Sequence, residues 1–135
     1  MGIVKRALVG ALIAAIGNAI VYVIAYVSGI IPWNMLSPGR GVSITPRLVI
    51  LVSIGGALGG ALLYGMIKRL SNDPVQKFRL VAFLILIASF SAPLMIETFT
   101  RSLTVVLYIM HVVVYAATVW ALTVWSMRGQ VTASA

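Results

Sequence analysis

Long apolar runs separated by short polar connections dominate this chain. Four such runs cover residues about 7–31, 47–68, 78–98 and 102–127. Each exceeds the roughly 18 residues that a helix needs to cross the hydrocarbon core of a bilayer. The pattern predicts an all-α fold, an antiparallel transmembrane four-helix bundle that forms a single integral membrane domain over residues 1–135.

Proline preceded by a capping residue marks the predicted start of two helices. Thr45 precedes Pro46, and Asp73 precedes Pro74. A Thr or Asp side chain can accept a hydrogen bond from a free amide of the first turn, and proline suits the first helical position. We expect the second and third helices to begin at these prolines, which gives Asp73 a structural task.

The third and fourth spans have signals of a different kind near their ends. Pro93 lies late in the third span, where its missing amide should kink the helix or mark where it frays. Gly129 is expected to end the fourth helix, and residues 129–135 are expected to form a disordered tail.

The charged residues orient the bundle. The ten Lys and Arg residues and two acids give a net charge of +8. Three short stretches, all on one side of a four-span chain, contain most of the cations: Lys5, Arg6, Lys68, Arg69, Lys77, Arg79 and Arg128. Because cationic loops stay in the cytoplasm, both termini should lie on the cytoplasmic side of a bacterial inner membrane. Lys68, Arg69, Lys77 and Arg79 should attract anionic lipid headgroups rather than nucleic acid.

Composition excludes several classes of protein. The chain is 61% hydrophobic and 9% charged, with mean hydropathy +1.11, so it cannot cover a soluble domain with polar surface. It has no Cys, one His and two acids, Asp73 and Glu97, expected at opposite membrane faces. Three or four converging metal ligands are therefore missing, as is a Ser-His-Asp arrangement. We expect a protein that is not an enzyme and has no metal site.

Glycines are concentrated in the first two spans. Two overlapping GxxxG pairs in the second span are Gly55 with Gly59 and Gly56 with Gly60; the first span offers Gly10 and Gly17. Such residues let helix backbones approach closely in lipid. They predict either packing within the bundle or the contact face of a homodimer.

Polar side chains recur at helical spacing on two spans. Asn18 and Tyr22 share one face of the first span, and Tyr108, His111 and Tyr115 share one face of the fourth. Counted from the outer ends, His111 and Tyr22 both lie about 12–14 Å deep, where they could meet. Buried polar groups in lipid need partners, so we expect an inward hydrogen-bonded cluster.

Three roles for this cluster stay open. It can be a network that sets helix register, a pocket for an apolar ligand, or a proton or ion path. Glu97, the one acid within a span, is four residues before Arg101, which favours an ion pair; a kink at Pro93 would instead bring it towards His111. We expect no cofactor, although His111 could bind a pigment, a quinone or a haem that is shared with a partner chain.

Several short motifs together resemble a known family. They are Thr45-Pro46, the glycine-rich stretch 55–60, the basic loop 68–79, the Ser-x-Pro-Leu stretch 91–94 and Met110-His111. The chain resembles an uncharacterised bacterial family of small four-span integral membrane proteins, grouped as a domain of unknown function. The resemblance implies the four-helix topology and no activity.

These features favour a non-catalytic role. The leading hypothesis is a scaffold or accessory subunit that packs through glycine faces against itself or a larger membrane complex. The alternative is a binder or carrier of an apolar ligand, a proton or an ion, using the polar residues around His111 with Glu97.

Overall fold

The computed structural model describes residues 2–31, 44–94 and 100–131, with side chains as far as residue 124. Every regular element in these ranges is an α-helix: α1 (Ile3–Val27), α2 (Pro46–Leu70), α3 (Pro74–Ser89), α4 (Ser91–Leu94) and α5 (Arg101–Val131). Four segments are long and apolar enough to cross a membrane, namely α1, α2, α3 with α4, and α5 up to Val124. The predicted all-α fold with four candidate spans is thereby confirmed.

The two predicted helix starts are confirmed in detail. Thr45 caps α2, because its Oγ1 accepts a hydrogen bond of 3.2 Å from the Leu48 amide. Asp73 caps α3, because its Oδ1 accepts one of 3.3 Å from the Gln76 amide. Each cap satisfies an amide that the first turn of a helix leaves free.

The first helix begins and ends about one turn earlier than the predicted span 7–31. It ends because Gly29 adopts a left-handed conformation with φ of 72°. The Ile30 amide then donates to the Ala25 carbonyl at 2.9 Å, and the Gly29 amide donates to the Tyr26 carbonyl at 3.0 Å. This double closure is a Schellman motif, which satisfies carbonyls at the helix end.

Pro93 interrupts the third span, as predicted. Helix α3 ends at Ser89, Phe90 forms a turn, and the short α4 follows. Proline has no amide to donate to the carbonyl four residues earlier, and its ring crowds that carbonyl, which here belongs to Ser89. The segment 95–99, which includes Glu97, lies outside the described residues, so the ion pair predicted between Glu97 and Arg101 stays a prediction.

Helix α5 continues through Gly129 and is still helical at Val131, the last described residue, so it does not end at Gly129 as predicted. A glycine ends a helix only when the chain turns there into the left-handed region, and Gly129 stays helical. Of the predicted disordered tail, residues 132–135 lie outside the described part of the chain.

Helix α1 packs chiefly against α2 and α5, and α3 packs against the other side of α2 and α5. Small residues line α1 where it is buried, including Ala14, which has no exposed surface. The third helix is held differently, since among its described side chains only Phe78 and Leu86 are buried. Phe78 meets Tyr64 of α2 edge to face at 5.1 Å between ring centroids.

The glycines of the first two spans fall into two groups. A Cβ placed on Gly10, Gly17, Gly56 or Gly60 would lie 2.6–3.1 Å from a side chain of α5. A Cβ on Gly55 or Gly59 would meet nothing within 4 Å. One GxxxG pair of α2 therefore lies against α5, and the other leaves open space.

This division predicts effects of different size for the same substitution at two positions of one helix. Gly60→Ala should be less stable than Gly55→Ala by about 1–3 kcal/mol, because the new methyl collides with the stiff, buried Thr118 side chain. Unfolding in mixed detergent micelles measures both variants. Equal stabilities would contradict the close approach of α2 to α5.

Candidate functional site

An apolar groove of about 620 Å³ runs between α2, α3 with α4, and α5. Its walls are mainly aliphatic, with Val52, Leu86 and Val114 among them, and Gly56, Gly59 and Gly60 form part of the α2 side. Asn18 reaches the same groove from α1. The described lining includes no Lys, Arg, Asp or Glu, so no permanently charged side chain borders the groove there.

Asn18 joins three helices at one level of the bundle. Its Nδ2 donates a hydrogen bond of 2.8 Å to Ser53 Oγ on α2 and one of 3.2 Å to the Met110 carbonyl on α5. The side chain is 3% exposed. An amide in an apolar interior is expensive unless it is bonded, so these contacts fix the relative positions of the helices.

The surrounding acceptors fix the orientation of the Asn18 amide. The Met110 carbonyl can only accept, and the Ser53 hydroxyl donates its own proton to the Val49 carbonyl at 2.7 Å. Both neighbours therefore need the NH₂ group, which places Oδ1 on the other side. Among the described residues, Oδ1 is buried and has no hydrogen-bond partner.

His111 lines the groove with one ring nitrogen already engaged. Nδ1 lies 2.7 Å from the Leu107 carbonyl one turn earlier. A carbonyl only accepts, so Nδ1 bears the proton, and in the neutral imidazole Nε2 is then an acceptor. Within the described ranges, no protein hydrogen bond is formed by Nε2.

The aromatic residues of α5 face α3 rather than α1. Tyr108 lies 4.6 Å from Phe90 between ring centroids, His111 meets the same ring edge to face at 6.4 Å, and Tyr115 meets Phe83 at 6.4 Å. The three side chains predicted to share one face of α5 therefore all meet aromatic rings on the α3 side, and two of them, His111 and Tyr115, line the groove.

The structure does not bring Tyr22 to His111. The Tyr22 hydroxyl donates to the Ile44 carbonyl at 3.4 Å, and its ring stacks on Tyr26 at 6.3 Å. Tyr22 belongs instead to a buried apolar cluster with Met110 and Leu103. A similar depth along the two helices does not bring Tyr22 and His111 together, because their side chains point towards different neighbours.

Sequence reasoning missed Ser53 and Phe90. Ser53 has a detectable signal, because it is the one hydroxyl within the first four turns of α2. Phe90 has no such signal in the sequence, because phenylalanine is common in apolar runs. Thr118, part of the same polar face of α5, is 5% exposed, and its Oγ1 is a second buried polar atom without a partner in the described structure.

The four basic residues at the junction of α2 and α3 differ in their contacts. Lys68, Arg69 and Lys77 are exposed at the ends of α2 and α3. Arg79 is exposed as well, but its Nη2 donates to Thr123 Oγ1 at 3.2 Å, which ties α3 to α5. Binding of lipid headgroups by the cluster stays a prediction.

A family model covers nearly the whole chain. It describes a family of unknown function, DUF6069, and matches residues 1–129. The chain belongs to the DUF6069 family. No curated protein and no solved structure matches the chain. Membership agrees with the resemblance noted from the motifs and assigns no activity to the groove. In the described part of the chain, no group of three metal-ligating side chains occurs.

The fixed orientation of the Asn18 amide yields a prediction for Asn18→Asp. At neutral pH the carboxylate would face two acceptors, so the variant should lose roughly 2–4 kcal/mol of stability. At acid pH the neutral acid regains one O–H donor, and part of the loss should be recovered. Unfolding in detergent at pH 7 and pH 4 measures this.

Asn72→Asp is the matched control, because Asn72 is exposed in the connection before α3. It should change stability little at either pH. If Asn18→Asp were as stable as Asn72→Asp at pH 7, the bridging role of Asn18 would be refuted.

Proposed function

We propose that this protein is embedded in a bacterial cytoplasmic membrane as an antiparallel bundle with both termini in the cytoplasm. Four apolar helices of sufficient length support embedding. The approach of Gly10 to Ala121 and of Gly17 to Val113 supports opposite directions for α1 and α5. The exposed cations at the ends of α2 and α3 support the orientation, since such residues stay cytoplasmic.

Within that membrane, we propose that the protein binds an apolar molecule in the groove between α2, α3 and α5, without catalysing a reaction. The observation behind this proposal is the coincidence of a groove of about 620 Å³ with inward polar groups at Asn18 and His111. Ligand pockets span about 300–1,000 Å³ and are mostly apolar with a few fixed polar groups.

The groove suits binding better than proton transport or catalysis. A proton path needs a succession of titratable groups, and the described lining has one imidazole and no carboxylate. Hydrolytic or transfer chemistry needs a nucleophile next to a base. The Ser53 hydroxyl is instead engaged with the Val49 carbonyl and the Asn18 amide.

A scaffold that assembles with itself is the second candidate function. One specific observation favours it: Gly55 and Gly59 lie on α2 with open space where a Cβ would be. Exposed aliphatic residues, Leu51 and Leu62, lie on either side along the same helix. Such a surface would admit another helix closely.

A matched pair of substitutions separates the two functions. Gly59 lines the groove and Gly55 does not, while both have open space at Cβ. Gly59→Leu should therefore reduce the non-protein lipophile that co-purifies with the protein in mild detergent, by about tenfold if a well-packed ligand loses its place. Gly55→Leu should leave that amount unchanged. Mass spectrometry of organic extracts provides the measurement.

Native mass spectrometry of the same samples tests the second candidate function, self-association. If Gly55→Leu converts a dimer into a monomer while both variants retain equal lipophile, self-association is the function and the binding proposal is wrong. If no lipophile accompanies the wild-type protein, the binding proposal also fails.

A further inference from the structure

We infer that the ligand of the groove is a neutral lipophile with a hydroxyl group, and that this hydroxyl donates a hydrogen bond to His111 Nε2. This inference rests on the proposed binding function and specifies its ligand class. It follows from which hydrogen-bonding groups of the wall are already engaged, from the charge of the lining, and from the depth of the polar groups.

The donors of the wall are largely used within the protein. Both protons of the Asn18 NH₂ group go to Ser53 Oγ and the Met110 carbonyl. The hydroxyls of Ser53 and Ser89 donate to carbonyls of their own helices at 2.7 Å each. The His111 Nδ1 proton goes to the Leu107 carbonyl. A ligand that offers only acceptors finds few partners at this level.

Two side-chain nitrogen or oxygen acceptors of the wall are not used. His111 Nε2 lies on a half-buried ring that borders the groove, and Asn18 Oδ1 is a buried acceptor without a partner in the described structure. An unpaired acceptor in an apolar site costs free energy that a ligand donor can recover. The hydroxyl protons of Thr118 and Tyr115 border the groove elsewhere, so they can serve a second polar atom of the ligand.

The lining also restricts charge. No Lys or Arg borders the groove among the described residues, so a carboxylate or phosphate would be buried without a counter-charge. No Asp or Glu borders it there either, which disfavours an amine. The polar end of the ligand is therefore neutral.

Depth excludes the headgroup of a common phospholipid. His111 lies ten residues after Arg101 and Asn18 nine residues before Val27, or about 13–15 Å from the helix ends. This is near the centre of a hydrocarbon core of about 30 Å. An acyl chain reaches that depth without a donor, whereas an isoprenoid alcohol, a fatty alcohol or a quinol can place a hydroxyl there.

The test uses farnesol and its methyl ether, which differ by the donor proton. Wild-type protein in lipid nanodiscs should bind the alcohol about tenfold more tightly than the ether, as expected for one recovered hydrogen bond in an apolar site. Because His111 is the one histidine of the chain, ¹⁵N-histidine labelling gives a single-residue spectrum. Its Nε2 signal should move upfield with the alcohol and not with the ether.

Two variants assign the effect to Nε2. His111→Phe keeps an aromatic ring beside Phe90 and should bind alcohol and ether equally. Tyr108→Phe also contacts Phe90 but does not line the groove, so it should retain the preference for the alcohol.

The failures of the two proposals are distinguishable. If wild-type protein binds alcohol and ether equally, the hydroxyl inference is overturned, and binding in the groove stands. If neither compound binds, or if Gly59→Leu binds them as wild type does, the proposed binding function itself is contradicted.

Discussion

The hydrogen bonds of Asn18 are the constraint on which the arrangement of helices depends. In an apolar interior, a polar group must find its partner inside the protein. Asn18 on α1 finds one on α2 and one on α5, so these three helices are fixed at a common level. Glycine and alanine residues around that level let the backbones come close enough for the short side chain to reach both partners. The groove lies where α3, which is not part of this trio, packs less closely against α2 and α5.

The third helix lies outside the trio and is attached mainly at its ends. Near its N-terminal end, Phe78 packs against Tyr64, and Arg79 reaches Thr123. Near the other end, Phe90 packs between Tyr108 and His111. Aromatic pairs of this kind contribute about 0.5–1.5 kcal/mol each beyond the area they bury. Between these attachments, α3 spans a region where α2 presents glycines, and the space left there is the groove.

Local features of the fold could be predicted from the sequence, and neighbour relations could not. Thr45, Asp73 and Pro93 act on the chain within one turn of themselves, so their effects follow from residue type. These helices are apolar on nearly every side, so periodicity does not reveal which face meets a neighbour. For that reason the common face of Tyr108, His111 and Tyr115 was predictable, while its direction towards α3 was not. Likewise, the two GxxxG pairs of α2 have the same spacing, so the sequence does not reveal that Gly60 lies against α5 while Gly59 faces open space in the groove.

The central claim is that an apolar molecule, rather than water or protein, occupies the groove beside His111. Solid-state NMR of protein in bilayers, deuterated except at its single histidine, tests it most directly. The account predicts magnetisation transfer from methylene protons of a non-protein molecule to the His111 ring. Transfer from water instead would indicate a hydrated cavity, and the absence of transfer from either source would indicate a closed one; both results would contradict the account.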